Sequence, residues 1–294
     1  MTEQTMAGRT VLVTGASDGI GAETAKVLAA EGATVHVTGR SADKLRPIAE
    51  AVGTEPLVAD FSRFDDVRHL AKQVAERVEH LDLLVNNAGG TFSPSQRTHD
   101  GHEPNLQVNH LAPYLLTRLL HPQLAAADGS LVMNTSSIAN LLGRVVLDDL
   151  DYEHRRAREF PAYGTGKLMN ILFTRGITQR WAADGIRSVA VHPGPVGSSF
   201  GRDSFFIGLL YRTPLKRFGT ISVPDGAAPL VALAHRGADP EIDGRYFSRF
   251  KIDGREHRQA HDQELIDGLW ERSAELVGSP EALPGAAHRS GTNR

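Results

Sequence analysis

The chain has 294 residues, 32 of them basic and 35 acidic, a net charge of −3 and no cysteine. Disulfides, thiolate nucleophiles and thiolate zinc sites are thereby excluded, and the near-neutral balance gives no electrostatic reason for a nucleic-acid or anionic-membrane partner. A cysteine-free globular composition suits a reducing cytoplasm; with no signal-peptide core in MTEQTMAGRT and no long apolar run, the expectation is a cytoplasmic protein without an integral membrane segment.

In chain order, Thr10–Thr14 reads as a buried strand running into a glycine-rich turn. A helix follows from about Ile20 to Glu31, with Gly32 as its stop signal. Thr34–Thr38 is a second strand, and a helix starting near Ser41 carries Leu45, Ile48, Ala49 and Val52 on one face. The rhythm continues with a strand at Leu57–Ala59, a helix over Phe64–Val78 and a strand at Leu81–Val85. A long helix over about Glu103–Ala126, a strand at Ser130–Asn134, a helix from about Ala162 to Asp184 and a strand at Arg187–Val191 complete it. Near-continuous apolar strands alternating with helices argue for a parallel sheet covered on both faces. No repeat or composition shift marks a boundary. The expectation is an α/β fold, one doubly wound Rossmann domain over residues 1–278, followed by a flexible tail over 279–294.

Three glycines recur in Thr14-Gly15-Ala16-Ser17-Asp18-Gly19-Ile20-Gly21, between a strand and a helix. Gly15 can supply the tight turn, Gly19 a close approach to a diphosphate, and Gly21 close packing of helix on strand. The helix N-terminus adds unpaired N–H groups and a partial positive charge. This context separates a dinucleotide site from an ordinary turn. About 20 residues on, where NAD binders place an acid on the ribose hydroxyls, the chain reads Thr38-Gly39-Arg40-Ser41. Arg40 can pair with a 2′-phosphate through its planar fork, which favours NADP(H), with NAD(H) as the alternative. A solvated Arg40 is the competing reading, and Asp18 adds negative charge near the phosphates.

Further motifs follow in order: Asn86-Asn87-Ala88-Gly89 after the fourth strand, Ser136-Ser137 ending the fifth, Tyr163-Gly164-Thr165-Gly166-Lys167 on a helix, and His192-Pro193-Gly194 after the sixth strand. Together with the glycine turn, over roughly residues 8–250, they resemble the short-chain dehydrogenases/reductases. Asp100-Gly101-His102-Glu103, Val108-Asn109-His110-Leu111, Tyr114-Leu115-Leu116-Thr117, the insertion Asp148–Phe160, Glu264-Leu265 and Leu269-Trp270-Glu271 are similar to the retinol dehydrogenase-like branch. That branch acts on lipophilic aldehydes, ketones and alcohols.

The resemblance implies a nicotinamide-dependent oxidoreductase acting on CH–OH donors, with Ser137, Tyr163, Lys167 and Asn109 as catalytic residues. Tyr163 and Lys167 are one helical turn apart and share a face. A neighbouring ammonium, aided by the positive nicotinamide ring, favours the phenolate and lowers its pKa, so Tyr163 can exchange a proton with the substrate oxygen. By resemblance, Lys167 also holds the nicotinamide ribose, Ser137 hydrogen-bonds the substrate oxygen and Asn109 holds a water linking Lys167 to solvent. Adjacent strand residues face opposite ways, and family register selects Ser137 over Ser136. Cofactor contacts are expected from Gly15, Ser17, Asp18, Gly19, Ile20, Gly21 and Arg40, from Asp60 and Phe61 at the adenine, and from Asn87, Ala88 and Gly89 near the adenosine ribose. Pro193, Gly194 and Val196 are expected beside the nicotinamide, with Tyr163 and Lys167. Ser198 stands where the family has a threonine on the carboxamide. Asp60 is also a candidate N-cap for the following helix.

His99, His102 and His110 do not match a His-Glu-x-x-His spacing, so no metal is expected. Ser199–Phe218 holds Phe200, Phe205, Phe206, Ile207, Leu209, Leu210 and Tyr211, too apolar for a solvated loop. By resemblance it is a lid over a lipophilic alcohol or carbonyl substrate, with an oligomer contact or membrane-surface patch as competing readings. Two other functions stay open. A non-catalytic NADP(H)-binding redox sensor or scaffold has no need of all four catalytic residues. A sugar-nucleotide epimerase or dehydratase shares Tyr-x-x-x-Lys but is expected to carry a larger C-terminal domain. The expected partner is a small molecule, with a homo-oligomer also open.

Overall fold

The structure, a computed structural model, describes residues 5–196 and 221–278. Ser198, the expected lid and the tail from 279 lie outside the described residues. The described strands are β1 (Thr10–Thr14), β2 (Thr34–Gly39), β3 (Leu57–Val58), β4 (Leu83–Asn86), β5 (Ser130–Thr135), β6 (Ile186–His192), β7 (Tyr246–Ser248) and β8 (Lys251–Ile252). They form one sheet in the order β3-β2-β1-β4-β5-β6-β7-β8. Every pairing is parallel except β7 with β8. The order reverses between β1 and β4, so the crevice for a ligand lies outside the carboxyl ends of these strands.

Pleat alternation explains the two cores. Leu12, Leu84 and Val132 point into one cluster; Val11, Val13, Leu83, Val85, Leu131 and Met133 point into the other. The first face is covered by α3 (Phe64–Arg77), α5 (Ala112–Leu119), α7 (Glu159–Trp181) and α9 (Gln263–Leu276). The second is covered by α1 (Gly19–Ala30), α2 (Ala42–Val52) and α8 (Val223–Ala234). This is the doubly wound single-domain fold expected from the strand–helix rhythm.

One expected element breaks up. The long helix over Glu103–Ala126 is four pieces: α4 (Pro104–Leu106), a π-helical turn (Gln107–Leu111), α5 and α6 (His121–Ala125). Proline has no N–H, so Pro113 cannot donate to the carbonyl four residues back, at Asn109. The backbone widens instead, and the Ala112 N–H reaches the Gln107 carbonyl. Such π turns gather at functional sites. Hydrophobic periodicity alone cannot show the break, because the apolar face continues through it.

The amino ends of the strands are stitched together far from the crevice. The Asp82 carboxylate accepts from the Thr10 N–H (2.7 Å) and from Arg9 Nη1 (2.7 Å). Its main chain bonds Thr10 on one side (2.9 Å) and Leu131 on the other (2.9 Å). Replacing Asp82 by Ala leaves the Thr10 N–H unpaired, which costs about 1–3 kcal/mol. We expect Asp82→Ala to lower the unfolding free energy by that margin in a denaturant titration while the cofactor affinity, read by fluorescence titration, stays unchanged.

Candidate active site

The strand-ending Thr14 organises the cofactor end. Its Oγ1 donates to the Val85 carbonyl (3.1 Å) and accepts from the N–H groups of Asn87 (3.0 Å) and Ala88 (3.0 Å). Asn87 Nδ2 returns to the carbonyls of Thr14 (3.0 Å) and Gly15 (3.3 Å). The glycine turn and the Asn87-Ala88-Gly89 turn are thus one unit. The sequence places Thr14 at the head of the glycine motif but assigns it no role. Gly15 adopts φ +65, and a Cβ there would lie 2.7 Å from Ala88 Cα. A Cβ on Gly21 would lie 2.5 Å from the Gly15 carbonyl oxygen. Both glycines are therefore required by close backbone approach.

Ser17 Oγ is buried without a hydrogen-bond partner, and Gly39 packs directly against it. The exposed Arg40 follows Gly39 at the carboxyl end of β2. An orphaned hydroxyl in a glycine cradle, beside a helix N-terminus and an arginine, fits a phosphate-bearing dinucleotide. Asp18 caps α1 by accepting from the Gly19 N–H (2.7 Å). The side chains of Ile20 and Val196 meet at Gly226 of α8, joining this turn to the chain that leaves β6. Asp60 does not cap the next helix. Its Oδ1 closes a short turn on the Ser62 N–H (2.9 Å), and Arg63 holds the cap position of α3. Phe61 turns its ring into the core, and its carbonyl accepts from Gln107 Nε2 (3.4 Å).

At the catalytic end the two serines diverge as their alternation requires. Ser136 is buried and donates to the Lys167 carbonyl (2.8 Å). Ser137 opens a 3-10 turn (Ile138–Leu142), accepts from the Ala139 N–H (3.2 Å) and shares a hydrogen bond with the Tyr163 hydroxyl. Helix α7 approaches this turn closely. A Cβ on Gly164 would lie 2.4 Å from the Ala139 carbonyl oxygen, so the residue after Tyr163 must be small or the turn must shift. Lys167 Nζ lies 5.6 Å from the Tyr163 ring centroid and donates to the Thr135 carbonyl (3.1 Å).

Burial pushes the Tyr163 phenol well above the ordinary range, with only a small opposing pull from Ser137. Burial also lowers Lys167 to about 8. Without the nicotinamide, whose positive ring is part of the expected lowering, desolvation sets the direction for both groups. Tyr163 stays protonated at neutral pH.

Asn109, fully buried in the π turn, clamps the next loop. Its Oδ1 accepts from the Gly90 N–H (3.0 Å) and its Nδ2 donates to the Gly90 carbonyl (2.9 Å) and the Asn105 carbonyl (3.2 Å). A Cβ on Gly89 would lie 2.4 Å from Asn109 Oδ1 and 3.2 Å from Lys167 Nζ. The structure thus brings Gly89, Asn109, Lys167, Tyr163 and Ser137 together. Sequence reading missed Asn140, which is fully buried. Its Nδ2 donates to the Ser137 carbonyl (2.8 Å) and its Oδ1 accepts from the His257 N–H (2.8 Å), tying the serine turn to the C-terminal segment. No motif spacing signals that contact. His102 pairs with Asp151 (2.6 Å) and His110 with Ser273 (2.8 Å), so both hold structure together. Among the described residues no group of three or more His, Cys, Asp or Glu could hold a metal ion.

A family model for short chain dehydrogenase matches residues 9–205. The chain belongs to the short-chain dehydrogenases/reductases. It is 38% identical over 277 residues to a Streptomyces sp. (strain C5) protein assigned as daunorubicin C-13 ketoreductase DnrU, covering 92% of this chain and 93% of that one. It is 36% identical over 278 residues to Homo sapiens retinol dehydrogenase 12, covering 92% and 87%. These matches place this dehydrogenase in the retinol dehydrogenase-like branch. A crystal structure of a short chain dehydrogenase from Burkholderia cenocepacia J2315 in complex with NADP superposes with a TM-score of 0.63 at 27% identity, covering 83% of this chain and 97% of that one. Among the described residues no helix is long and apolar enough to cross a membrane.

The buried lysine sets function against stability. Its folded pKa of about 8 lies below its ordinary 10.5. Below pH 8 the folded state must carry a buried cation, and that penalty is relieved as pH rises from 8 through 10.5. Asn170 Nδ2 still bonds the Thr135 carbonyl (3.0 Å) when Lys167 is removed. Lys167→Met is expected to abolish turnover yet raise the Tm of the cofactor-free protein at pH 7, an advantage that shrinks above pH 8 in calorimetric scans.

Proposed function

We propose that this dehydrogenase interconverts a lipophilic carbonyl compound and its alcohol with NADP(H). The hydrogen-bonded Ser137–Tyr163 pair, backed by Lys167 at the carboxyl end of β5, carries the reading. The nicotinamide, when bound, supplies or accepts the hydride. The chain's own residues handle the proton. In the reductive direction the Tyr163 hydroxyl gives its proton to the carbonyl oxygen, and Ser137 steadies the charge that develops there. A protonated phenol hydrogen-bonded to Ser137 is placed to donate in this direction. Lys167, held against Gly89, supplies positive charge behind the phenol as it loses its proton. The Asn109 carbonyl, without its helical donor from Pro113, is the acceptor through which a water reaches Lys167.

Apolar side chains support a lipophilic substrate. Ile138 and Leu142 flank the serine turn, Phe160 precedes Tyr163 by one turn of α7, and Phe250 follows β7; all four are exposed. Large hydrophobics left in water around a polar site mark a binding surface. The similarity to retinol dehydrogenases and to DnrU points the same way, as does the composition of residues 199–218. For the cofactor, Ser17 and Arg40 at the end of β2 favour the 2′-phosphate of NADP(H), and the Burkholderia cenocepacia relative is bound to NADP.

A panel of aldehydes, ketones and alcohols with NADPH and NADH tests the reading. Tyr163→Phe should lose about 10²–10⁴-fold in kcat with the dissociation constant for NADPH unchanged. Equal turnover by native enzyme and variant would sink it. Arg40→Ala should raise the KM for NADPH by about 10- to 100-fold, the value of a charge-assisted contact, and leave the KM for NADH alone. A native enzyme that prefers NADH would overturn the cofactor assignment.

A further inference from the structure

The β7–β8 hairpin turns through Arg249 and Phe250, with Ser248 paired to Lys251. Arg249 holds φ +56, a left-handed backbone that such two-residue turns normally give to Gly or Asn. A bulky residue there is strained, and strain of this kind gathers where a side chain must be placed. The placement is specific. The Arg249 N–H donates to the His192 carbonyl (2.8 Å). Its Cδ comes within 3.4 Å of a Cβ built on Gly194, itself at φ +105. The arginine stem therefore crosses the turn leaving β6, and β6 adjoins β5, whose end carries Ser137.

Among the described residues no acidic side chain bridges the Arg249 guanidinium, and its Nε is buried without a hydrogen-bond partner. Arg175 and Arg187, also partly buried, bridge Glu256 (2.9 Å) and Asp243 (3.2 Å). Burial, assisted by Arg249, holds the adjacent His192 near pKa 4, so that ring is neutral and Arg249 is the cation of this corner. The exposed Phe250 ring lies 5.7 Å from the guanidinium carbon. A fixed cation beside an apolar rim is a site for an amphipathic anion, because a carboxylate entering it gains charge-assisted, two-pronged hydrogen bonds.

We propose that Arg249 is a specificity-determining residue that receives a carboxylate on the carbonyl substrate, making the preferred substrates apolar oxo acids. This rests on the carbonyl-reductase reading above, so the test uses binding rather than turnover. Enzyme saturated with NADP+ cannot reduce an aldehyde, and calorimetry then gives the affinity for 4-formylbenzoate, 4-formylcinnamate and their methyl esters. The native protein should bind at least one acid about tenfold more tightly than its ester. In Arg249→Gln and Arg249→Gly that ratio should fall to near one, with ester and NADP+ affinities unchanged. Arg249→Gly should also raise Tm by a few degrees, since glycine accepts the left-handed backbone. An acid-to-ester ratio equal in native protein and variants overturns the proposal. So does a loss of NADP+ affinity with the ratio intact, which would assign Arg249 to the cofactor. Failure of the Tyr163 reading would appear separately, as absent turnover.

Discussion

The site depends on burying a lysine. Lys167 sits beneath the carboxyl ends of β4 and β5, with Gly89 at contact distance, the Thr135 carbonyl as acceptor and the Tyr163 ring beside it. Little room exists for anything larger than glycine around it. A Cβ on Gly89 would meet Asn109 and Lys167, and one on Gly166 would lie 2.9 Å from the Asn105 carbonyl oxygen. The glycines of the catalytic helix thus serve to bring α7, the π turn and the β4 loop close enough to exclude water. Exclusion of water then sets the chemistry. It weakens the ammonium's hold on its proton and strengthens the phenol's, leaving Tyr163 as an acid at rest.

The first six strands, the parallel doubly wound sheet and the positions of Gly15, Gly21, Asn87, Ser137, Tyr163 and Lys167 were legible in the chain. They rest on local signals: β-branched runs, glycines at turns, and a four-residue spacing along one helix face. The choice of Ser137 had a physical counterpart in the pleat, since Ser136 points back at α7. What stayed hidden depends on contacts between distant segments. Asn140 meets His257, and Thr14 meets Asn87 and Ala88. Neither pairing leaves a periodic trace. The π turn escaped because hydrophobic spacing tolerates a single widened turn; Pro113 was its visible cause. Burial of the pair was not legible either, because sequence shows that an ammonium is near a phenol but not how dry both are.

The two ends of the sheet divide the work. At the amino ends, Asp82 stitches β1 and β5 to the start of β4 with short, well-partnered bonds. At the carboxyl ends the chain accepts positive φ at Gly15, Gly194 and Arg249, an orphaned hydroxyl at Ser17 and a buried cation at Lys167. None of these helps the chain to fold. Two are glycines, where a left-handed backbone is cheap. Ser17, Lys167 and Arg249 are different: each holds hydrogen-bonding capacity or charge that the protein leaves incompletely answered. They are spread along the carboxyl edge, with Ser17 in the glycine turn, Lys167 beside Tyr163 and Arg249 in the β7–β8 turn. A carboxyl edge that is destabilised at three spaced points, on a sheet secured at its opposite edge, is what a binding crevice requires. On the proposed reading, ligand groups would supply the missing partners, so that binding free energy rather than folding free energy completes the structure.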